Sequence, residues 1–295
     1  MAKVSIIIIN YNTFQLTSEC IRSVIAFTKE ISYEIILVDN ASTECDADIF
    51  REKFPEIILV KSQKNGGFAY GNNLGIEKAS GEFILLLNSD TILTEGSISK
   101  TVEYADQNPN AGVIGCRMIF PDGDIQYTAR RFRSIQWALL DLFRFIPMLI
   151  PYKSRAKLML GKYFRHDENI NCDWVNGAFF LFPKKILSRL PGNKLDDRFF
   201  MYGEDHLWCA QIKKLGYNIL FFAGTTIVHI NSGSTQIERQ LDLRKTMMKH
   251  ELEIMKWRKG RGLYFIIFSL IYKIKESSRN FIKRLVYKSS GKMLR

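Results

Sequence analysis

Runs of apolar residues recur along the first 120 residues of the chain, and three of them end in Asn or Asp. The runs are VSIIIIN (4–10), EIILVDN (34–40), IILVKS (57–62), FILLLNSD (83–90) and GVIGCRMIF (112–120). Uninterrupted apolar runs of this length are typical of strands buried on both faces. Helices are predicted between them: the first has Leu16, Cys20, Val24 and Phe27 on one face, and the others lie over about 45–54, 67–79 and 95–107. Strands that alternate with helices indicate an α/β fold with a mostly parallel sheet.

The alternation breaks down after residue 130. Residues 135–152 are strongly apolar and contain two prolines, whereas 172–183 predict a strand with a polar notch at Asn176 and Gly177. Residues 199–216 predict a loop that enters a helix, and 221–235 a strand that ends near His229 before a loop rich in serine and glycine. The remaining predicted helices cover 236–257 and 263–288.

The net charge of +12 on 295 residues is unevenly distributed. Residues 244–295 contain 15 Lys and Arg against 3 Asp and Glu, and residues 130–165 contain 9 against 1. Basic charge is therefore concentrated in two segments that are also rich in apolar residues. Such segments bind either anionic membrane surfaces or nucleic acid.

Cysteine spacing and the first apolar run bear on the cellular compartment. The five cysteines are far apart and form no C-x-x-C pair, which argues against a zinc site or a disulfide framework and favours a reducing cytosol. The first apolar run is too short for the core of a signal peptide. No uncharged stretch reaches the roughly 20 residues of a spanning helix. We expect a cytoplasmic protein, either soluble or peripheral on a membrane.

Polar residues at three predicted strand ends indicate a ligand site. Asp90, Asp39 and Asn12 all follow apolar runs, and ligands of open α/β sheets bind outside the carboxyl ends of strands. The carboxylate of Asp90 would suit a hard divalent cation, although an Asp at a strand end can also merely cap a turn. Asp39 could accept a hydrogen bond from a base or ribose, and Tyr11 offers a ring for a base to stack on.

The glycine-rich segment NGGFAYGNNLG (65–75) matches neither a P-loop nor a dinucleotide fingerprint. Gly71 and Gly75 are expected to let a helix pack closely on the sheet. Asn65, Asn72 and the backbone N–H groups near Gly67 could still reach a diphosphate at the start of the helix. We leave packing and phosphate binding open as roles for this segment.

Four further residue types are candidates for chemistry. Glu204 and Asp205 begin a predicted helix, where acidic residues are favoured by the helix dipole, but their apolar flanks would raise the pKa of a carboxyl and suit a general base. His229 is either a core histidine or, with Asp90, half of a Mg²⁺ or Mn²⁺ site. Trp174 and Trp208 are either core residues or a platform for a sugar ring.

The C-terminal segment has the composition of an interfacial helix. Its ten uncharged residues 263–272 would span about 15 Å as a helix, which is too short to cross a bilayer. Beyond them, one predicted face carries the apolar residues Ile271, Ile274, Phe281, Ile282 and Leu285. Basic residues occupy the remaining positions, namely Lys273, Lys275, Arg279, Lys283, Arg284 and Lys288. The bulky aliphatic residues favour a membrane over nucleic acid as the partner.

The order of motifs across residues 3–235 resembles that of the family 2 glycosyltransferases of the GT-A fold, and above all the rhamnosyltransferase-like bacterial enzymes. The motifs are NYN (10–12), VDNAST (38–43), NGGFAYGNN (65–73), LLLNSD (85–90), WVNGA (174–178), YGEDHLW (202–208) and the late His229. The resemblance implies a GT-A domain over 1–243, with a nucleotide-binding half at about 1–120 and an acceptor-side half at 121–243. Residues 244–295 would be a basic amphipathic helical extension that associates with the membrane.

The resemblance also implies roles for individual residues. Asp90 and His229 would hold Mg²⁺ or Mn²⁺, and Asp205 would deprotonate the acceptor hydroxyl. The nucleotide-sugar would be bound by Tyr11, Asn12, Asp39, Asn65, Gly67, Asn72, Asn88 and Asp90. The sugar or acceptor pocket would be lined by Trp174, Asn176, Gly177, Glu204 and Trp208. Asn88 stands where a second carboxylate is common, so only one carboxylate would bind the metal.

The implied activity is the inverting transfer of a single sugar, rhamnose or another hexose, from a nucleotide-sugar. A polyprenyl-diphosphate-linked saccharide at the inner face of the plasma membrane would be the acceptor, in the assembly of a bacterial surface polysaccharide. The Q-x-x-R-W motif of processive members is absent, which argues against polymerisation. A catalytically inactive GT-A-like binding or scaffold protein is the alternative, and a nucleic-acid-binding protein is disfavoured.

Overall fold

The structure is a computed structural model that describes residues 2–143, 145–230 and 237–290, without the side chains of 237–241 and 283–290. The loop after His229 and the side chains of Lys283, Arg284, Leu285 and Lys288, on which part of the sequence interpretation depends, lie outside the described residues. The chain forms two compact units. The sheet unit comprises Met1–Arg131 and Leu160–Ser232, and the helical unit comprises Phe132–Met159 and Gly233–Arg295.

Ten strands of the sheet unit form one sheet. They are β1 (Val4–Asn10), β2 (Tyr33–Asp39), β3 (Ile58–Lys61), β4 (Phe83–Asn88), β5 (Thr91–Leu93), β6 (Ala111–Ile119), β7 (Ile125–Gln126), β8 (Ile170–Cys172), β9 (Phe179–Pro183) and β10 (Asn218–His229). The main order is β3-β2-β1-β4-β9-β6-β10-β5, with β7 beside β6 and β8 beside β10. Strands β3, β2, β1 and β4 are parallel, as are β6 and β10, and β9 runs antiparallel between the two groups. The predicted α/β fold with a mostly parallel sheet is confirmed.

Ten α-helices accompany the strands in the part of the chain that the structure describes. They are α1 (Phe14–Phe27), α2 (Asp48–Lys53), α3 (Phe68–Ile76), α4 (Ser97–Asp106), α5 (Ile135–Leu142), α6 (Phe145–Leu149), α7 (Tyr152–Met159), α8 (Glu204–Lys214), α9 (Ile237–Lys259) and α10 (Leu263–Ser290). The prediction that α3 packs closely on the sheet is confirmed. A Cβ on Gly75 would lie 2.5 Å from Ile7, and one on Gly71 would lie 3.0 Å from Ile9.

The parallel register places the polar strand ends side by side. Asn10 pairs with Asp39 between β1 and β2, and Ile9 pairs with Asn88 between β1 and β4. The apolar residues that precede them in β1 and β4 are almost all fully buried. Burial of these apolar runs thus fixes which polar residues emerge together at the carboxyl edge of the sheet.

The predicted single strand over 172–183 is wrong. It is divided into β8 and β9 by the irregular residues 173–178, which we call the 173–178 turn. The polar notch interrupts the strand because its N–H groups bond to side chains: Gly177 N–H donates to Asp205, and Ala178 N–H donates to the side chain of Asn176. These backbone groups are satisfied without a neighbouring strand.

The helical unit has its own small core, formed by Ala138 of α5, Met255 of α9, and Phe268 and Tyr272 of α10. Residues 132–159 therefore group with the C-terminal helices, whereas the sequence placed them in the acceptor-side half. Lys275 was expected on the polar surface of the last helix but is buried, and its Nζ lies 3.0 Å from the Asp141 carboxylate. Among the described residues, no helix combines the length and apolarity needed to span a membrane.

Candidate functional site

A hydrogen-bond network joins the ends of β1 and β2. The Asn10 side-chain amide donates to Asp39 Oδ1 at 2.9 Å and to Ser42 Oγ at 2.8 Å, and Ser42 N–H donates to Asp39 Oδ2 at 3.1 Å. Asp39 is buried, so both of its oxygens hold the loop after β2 against β1. The role of Asp39 in binding a nucleotide stays a prediction, and its position at the carboxyl edge suits that role.

The loop after β1 is held by Asn12 and Thr13. Asn12 has a positive φ of 54°, and its Oδ1 accepts hydrogen bonds from the N–H groups of Thr43 and Glu44. Thr13 Oγ1 lies 3.3 Å from Ser89 Oγ, so this loop contacts the NSD segment. Tyr11 precedes Asn12 and is 45% exposed, which leaves its ring available for stacking.

Asp90 and His229 are brought together by strand pairing. Short strand β5 begins directly after Asp90 and runs antiparallel to β10, so that Thr91 lies opposite His229. As a result, His229 Nε2 lies 3.2 Å from Asp90 Oδ1. Asn88 Nδ2 approaches the same ring nitrogen at 3.5 Å. These two metal candidates are 139 residues apart in sequence yet adjacent in the structure.

This part of the site fits a divalent cation that is shared with a substrate. Among the described residues, no group of three or more His, Cys, Asp or Glu side chains could hold a metal by itself. Asp90 and His229 supply one oxygen and one nitrogen ligand, and the buried Asn88 Oδ1 has no hydrogen-bond partner in the described part of the chain. Mg²⁺ and Mn²⁺ accept such ligands, and Mg²⁺ usually keeps positions for water and substrate phosphates.

Asp205 lies at the start of α8 and faces the 173–178 turn. Its Oδ2 accepts from Gly177 N–H at 3.0 Å, and its Oδ1 accepts from His206 N–H at 2.8 Å. Burial raises the pKa of Asp205 despite these hydrogen bonds and the positive charge of Arg130, which lower it. A buried carboxylate held by two N–H groups can act as an oriented proton acceptor.

Glu204, the neighbour of Asp205, is a buried carboxyl group. Its Oε2 lacks a hydrogen-bond partner within the described residues. Burial, followed by the charge of Asp205, raises its pKa to about 8. Glu204 therefore holds its proton more firmly than an ordinary glutamic acid, and we expect Asp205, whose oxygens accept two N–H hydrogen bonds, to ionise first.

The metal candidates and Asp205 are connected through the 173–178 turn. Asn88 N–H donates to the Ala178 carbonyl oxygen at 3.0 Å, and the preceding residue, Gly177, donates to Asp205. The strand that carries Asn88 and the helix that carries Asp205 are thus hydrogen-bonded to two consecutive residues of the turn, Ala178 and Gly177. The structure brings these candidates to one edge of the sheet.

Trp174 and Trp208 occupy different environments. Trp174 is partly exposed, stacks on His206 with ring centroids 5.1 Å apart, and is covered by the Arg130 guanidinium at 5.2 Å. Trp208 is fully buried and stacks on Phe68, so the expectation that it lines a sugar pocket is corrected. Its Nε1–H donates to the Asp196 carbonyl oxygen at 2.8 Å, which satisfies the indole donor inside the core.

The NGG segment is built into the sheet unit by its own polar groups. Asn65 Oδ1 accepts from the Asn40 side chain and from Gly67 N–H, both at 3.0 Å. Asn72 is 1% exposed and donates to the Phe68 carbonyl oxygen of its own helix, so its amide does not face a ligand as expected. Phosphate contact by Asn65 or Gly67 stays a prediction.

Sequence reasoning missed four residues of the site: Asn10, Ser42, Arg130 and Gln126. Asn10 and Ser42 lie within the NYN and VDNAST motifs, so their positions next to a strand end were a usable signal. Arg130 was counted only as charge. Gln126 contacts His229 from a two-residue strand 103 residues earlier, and no local pattern reveals that contact.

Comparison with known proteins gives a consistent assignment. The sequence model of the family described as Glycosyl transferase family 2 matches residues 5–188. The O-antigen biosynthesis protein RfbC of Myxococcus xanthus is 26% identical over 240 residues, which are 80% of this chain and 18% of RfbC. The N-acetylglucosaminyl-diphospho-decaprenol L-rhamnosyltransferase of Mycobacterium tuberculosis H37Rv is 22% identical, with 72% of this chain and 71% of that protein aligned.

Solved structures share the fold at low sequence identity. The mannosyltransferase PcManGT of Pyrobaculum calidifontis, in complex with GDP-Man and Mn²⁺, superposes with a TM-score of 0.63 at 15% identity and covers 99% of this chain and 76% of its own. Residues 1–349 of S. aureus TarS give a TM-score of 0.55 at 14% identity and cover 98% and 75%. The aligned part of this chain spans only 18% to 41% of the length of three of the relatives.

Proposed function

Because the chain belongs to glycosyl transferase family 2, we propose that it transfers one sugar from a nucleotide-sugar to a hydroxyl group of a saccharide acceptor. The observation that supports this proposal most strongly is the arrangement around the 173–178 turn. The Asp90–His229 pair suits the diphosphate of a donor, and Asp205 suits an acceptor hydroxyl. A transferase needs both functions at one site.

The proposed reaction is a single displacement. Asp205 accepts the proton of the acceptor hydroxyl while the oxygen attacks the anomeric carbon. The bond between that carbon and the diphosphate oxygen breaks, and its electron pair leaves with the nucleoside diphosphate. Because attack occurs opposite to the leaving group, the configuration of the anomeric carbon is inverted. A divalent cation at Asp90 and His229 would stabilise the negative charge on the departing diphosphate.

We further propose a lipid-linked acceptor and a role in bacterial polysaccharide or cell-wall synthesis. Two relatives support this proposal by their names, which describe O-antigen biosynthesis and rhamnosyl transfer to a decaprenol-linked sugar. Rhamnose or another hexose is the proposed donor sugar. The partly exposed Trp174, together with Asn176, would contact the sugar or the acceptor from the 173–178 turn.

Association with an anionic membrane is proposed for the helical unit. Helix α10 carries an exposed apolar stripe, defined as Leu263, Ile266, Ile267, Leu270, Ile274 and Phe281. Exposed basic residues accompany it, among them Lys259, Arg261 and Lys273. The residues of this stripe recur at intervals of three, four and seven and therefore share one helical face, opposite the face that packs on α5. An apolar stripe with basic neighbours suits the surface of anionic lipid.

Donor binding and chemistry are tested on one panel of nucleotide-sugars, dTDP-rhamnose and UDP-hexoses, with Mn²⁺. The correct donor should raise the melting temperature by mass action. Asp90→Ala should abolish the part of this increase that depends on Mn²⁺. Asp205→Asn should keep that stabilisation but reduce nucleoside-diphosphate release by about 10²- to 10⁴-fold. Asp197→Asn, which changes a surface carboxylate paired with Lys194, is the control and should behave like the unmodified protein.

The results separate the proposal from its alternative. A catalytically inactive nucleotide-sugar-binding protein, which the missing carboxylate at Asn88 favours, would be stabilised by a donor but would release no nucleoside diphosphate. Full activity in Asp205→Asn would eliminate Asp205 as the base.

Membrane binding is tested separately. The double variant Leu270→Ser/Ile274→Ser should lose binding to phosphatidylglycerol vesicles, whereas the control Ile25→Ser/Ile58→Ser, which changes two exposed residues of the sheet unit, should keep it. Equal binding by both double variants would refute the proposal that the apolar stripe binds the membrane.

A further inference from the structure

The Gln126 side chain contacts His229 twice. Its Nε2–H donates to the backbone carbonyl oxygen of His229 at 2.6 Å, and its Oε1 lies 2.8 Å from the ring nitrogen Nδ1. Gln126 is 8% exposed, so these bonds form away from bulk water. Because the carbonyl can only accept, the amide nitrogen must face it, and the amide oxygen must face the ring.

This orientation of the amide determines which nitrogen of His229 carries the proton. An amide oxygen is only an acceptor, so Nδ1 must be the donor. The neutral ring then has its lone pair on Nε2, where Asn88 Nδ2 approaches at 3.5 Å. That is the nitrogen beside Asp90.

The surroundings of Nε2 make this tautomer suitable for binding a cation. A nitrogen lone pair and the Asp90 carboxylate, 3.2 Å away, repel each other unless a positive charge lies between them. Metal-binding histidines commonly donate their other ring N–H to an oxygen of the protein, which fixes the ring and its tautomer. The Gln126 contact has this form.

Strand pairing explains why Gln126 can perform this role. Strand β7 pairs with β6 so that Gln126 lies opposite Met118, and β6 lies beside β10, where Val228 pairs with Ile119. Gln126 Nε2 also lies 3.4 Å from the Ile119 carbonyl oxygen. The side chain therefore bridges β6 and β10 at His229 itself, the metal candidate.

We propose that Gln126 is a positioning residue that holds His229 in the Nδ1–H tautomer and thereby sets the affinity of the site for a divalent metal bound with a nucleoside diphosphate. The part concerning the metal rests on the proposed function, whereas the part concerning the tautomer does not. Two measurements on the full chain keep the two parts distinguishable.

The first measurement is made without metal. Long-range ¹H–¹⁵N spectra at about pH 8, where imidazole rings are ordinarily neutral, report which nitrogen of each histidine is protonated. The His229 signal is identified by its loss in His229→Ala. We expect a protonated Nδ1 in the unmodified protein and a mixture of tautomers in Gln126→Leu. A protonated Nε2 in the unmodified protein, or no change in Gln126→Leu, would overturn the proposal.

The second measurement is the affinity for Mn²⁺ in the presence of UDP or dTDP, followed by electron paramagnetic resonance of the free ion. Gln126→Leu should weaken Mn²⁺ binding by about 10- to 100-fold, as for other residues that orient a metal ligand. Gln126→Glu keeps an acceptor for Nδ1–H and should retain most of the affinity. Gln211→Leu is the matched control because Gln211 is equally buried and bonds to Asp196 instead.

A purely structural role predicts a different set of results. In that case Gln126→Glu would fail as badly as Gln126→Leu, Gln211→Leu would also weaken Mn²⁺ binding, and Gln126→Leu would act equally in a His229→Ala background. We expect instead that Gln126→Leu has no further effect once His229 is removed. If the tautomer changes as expected but the unmodified protein binds no Mn²⁺, the metal-assisted function fails while the control of His229 by Gln126 is supported.

Discussion

Glu204 is a buried carboxyl group, and its ionisation lowers the stability of the folded protein. Its pKa of about 8 in the folded protein lies above the usual value of 4.5, so the folded state holds the proton more tightly than the unfolded state. The stability associated with this proton is fully present below pH 4.5 and is lost as the pH rises through about 8. The surrounding structure must therefore tolerate a neutral acid beside Asp205.

Replacing Glu204 by Gln tests this assignment. Gln imitates the protonated form, so Glu204→Gln should raise the free energy of unfolding above about pH 8 and change it little near pH 4, with a gain on the order of a few kcal/mol at the alkaline end. Chemical denaturation at both pH values measures the difference. A variant that is less stable than the unmodified protein at alkaline pH would show that Glu204 is ionised and well solvated.

Gly67 and Gly123 form a natural pair for measuring a close backbone contact. Both have a positive φ, 87° and 88°, but a Cβ on Gly67 would lie 2.0 Å from the Phe200 carbonyl oxygen, whereas one on Gly123 would meet no atom within 4 Å. Gly123→Ala should cost about 1–2 kcal/mol of unfolding free energy from backbone strain alone. Gly67→Ala should cost about 1–3 kcal/mol more because of the steric overlap. Equal costs would mean that the Phe200 segment moves freely.

The positions of individual residues were predictable from the sequence where their immediate neighbours form a clear pattern. Asp39 and Asp90 end apolar runs, and Asp205 follows a strongly apolar loop, so each was identified from its neighbours in sequence. Asn72 and Trp208 were assigned to ligand contacts because the sequence does not show which face of a helix packs inward. Gln126 could not be found, since its importance depends on the pairing of β6 with β7 and β10.

Among the elements, α5 and α10 are joined by buried charges. Lys275 Nζ lies 3.0 Å from Asp141 Oδ2 and 2.9 Å from Glu276 Oε1, and Arg279 lies 3.4 Å from the same Asp141 oxygen. Burial, as the largest effect, lowers the pKa of Lys275. The face of α10 that looked amphipathic and basic in sequence is therefore partly a packed interior, because a lysine can be buried when carboxylates surround it.

Removing one partner of this cluster should destabilise the helical unit strongly. Asp141→Ala leaves a buried cation without its closest interhelical partner and should cost about 3 kcal/mol. The double variant Asp141→Ala/Lys275→Met should recover most of that loss. Asp242→Ala breaks an exposed pair with Lys245 in the same unit and should cost less than about 1 kcal/mol. A similar small loss for Asp141→Ala would show that water reaches the cluster.

Elements were predicted best where burial was continuous. The strands β1, β2, β4 and β6 lie close to the expected positions because their apolar runs are long and bounded by polar residues. The failure over 172–183 has a physical cause: a strand ends where its N–H groups find side-chain acceptors, and Asp205, which provides one of them, is distant in sequence. Strand β5 was missed because three residues carry no periodicity.

At the scale of the whole molecule, the basic charge is concentrated in the segments that form the helical unit. The basic segments 130–165 and 244–295 correspond largely to the two parts of the helical unit, which the sequence had separated into an acceptor-side half and a tail. The changes in composition fall near the boundaries of that unit. That the two segments share one core could not be read from either segment alone, because each supplies only part of that core.

Salt should reveal how much of the proposed membrane affinity is electrostatic. Binding to phosphatidylglycerol vesicles should fall more than about tenfold between roughly 0.1 and 1 M salt, because the screening length shortens from about 10 to 3 Å. Phosphatidylcholine vesicles should bind weakly at both concentrations. Co-sedimentation measures both. Binding that is strong and independent of salt on neutral vesicles would show that the apolar stripe alone is sufficient.

The interleaved helical unit also has a consequence for synthesis on the ribosome. Asp141 is synthesised 134 residues before its partner Lys275, an interval of roughly ten seconds at about 5–20 residues per second. For most of that time α5 has neither α9 nor α10 to cover its apolar face. A chaperone or a nearby lipid surface could occupy that face first, so the order in which the chain is made favours late completion of the very unit that is proposed to meet the membrane.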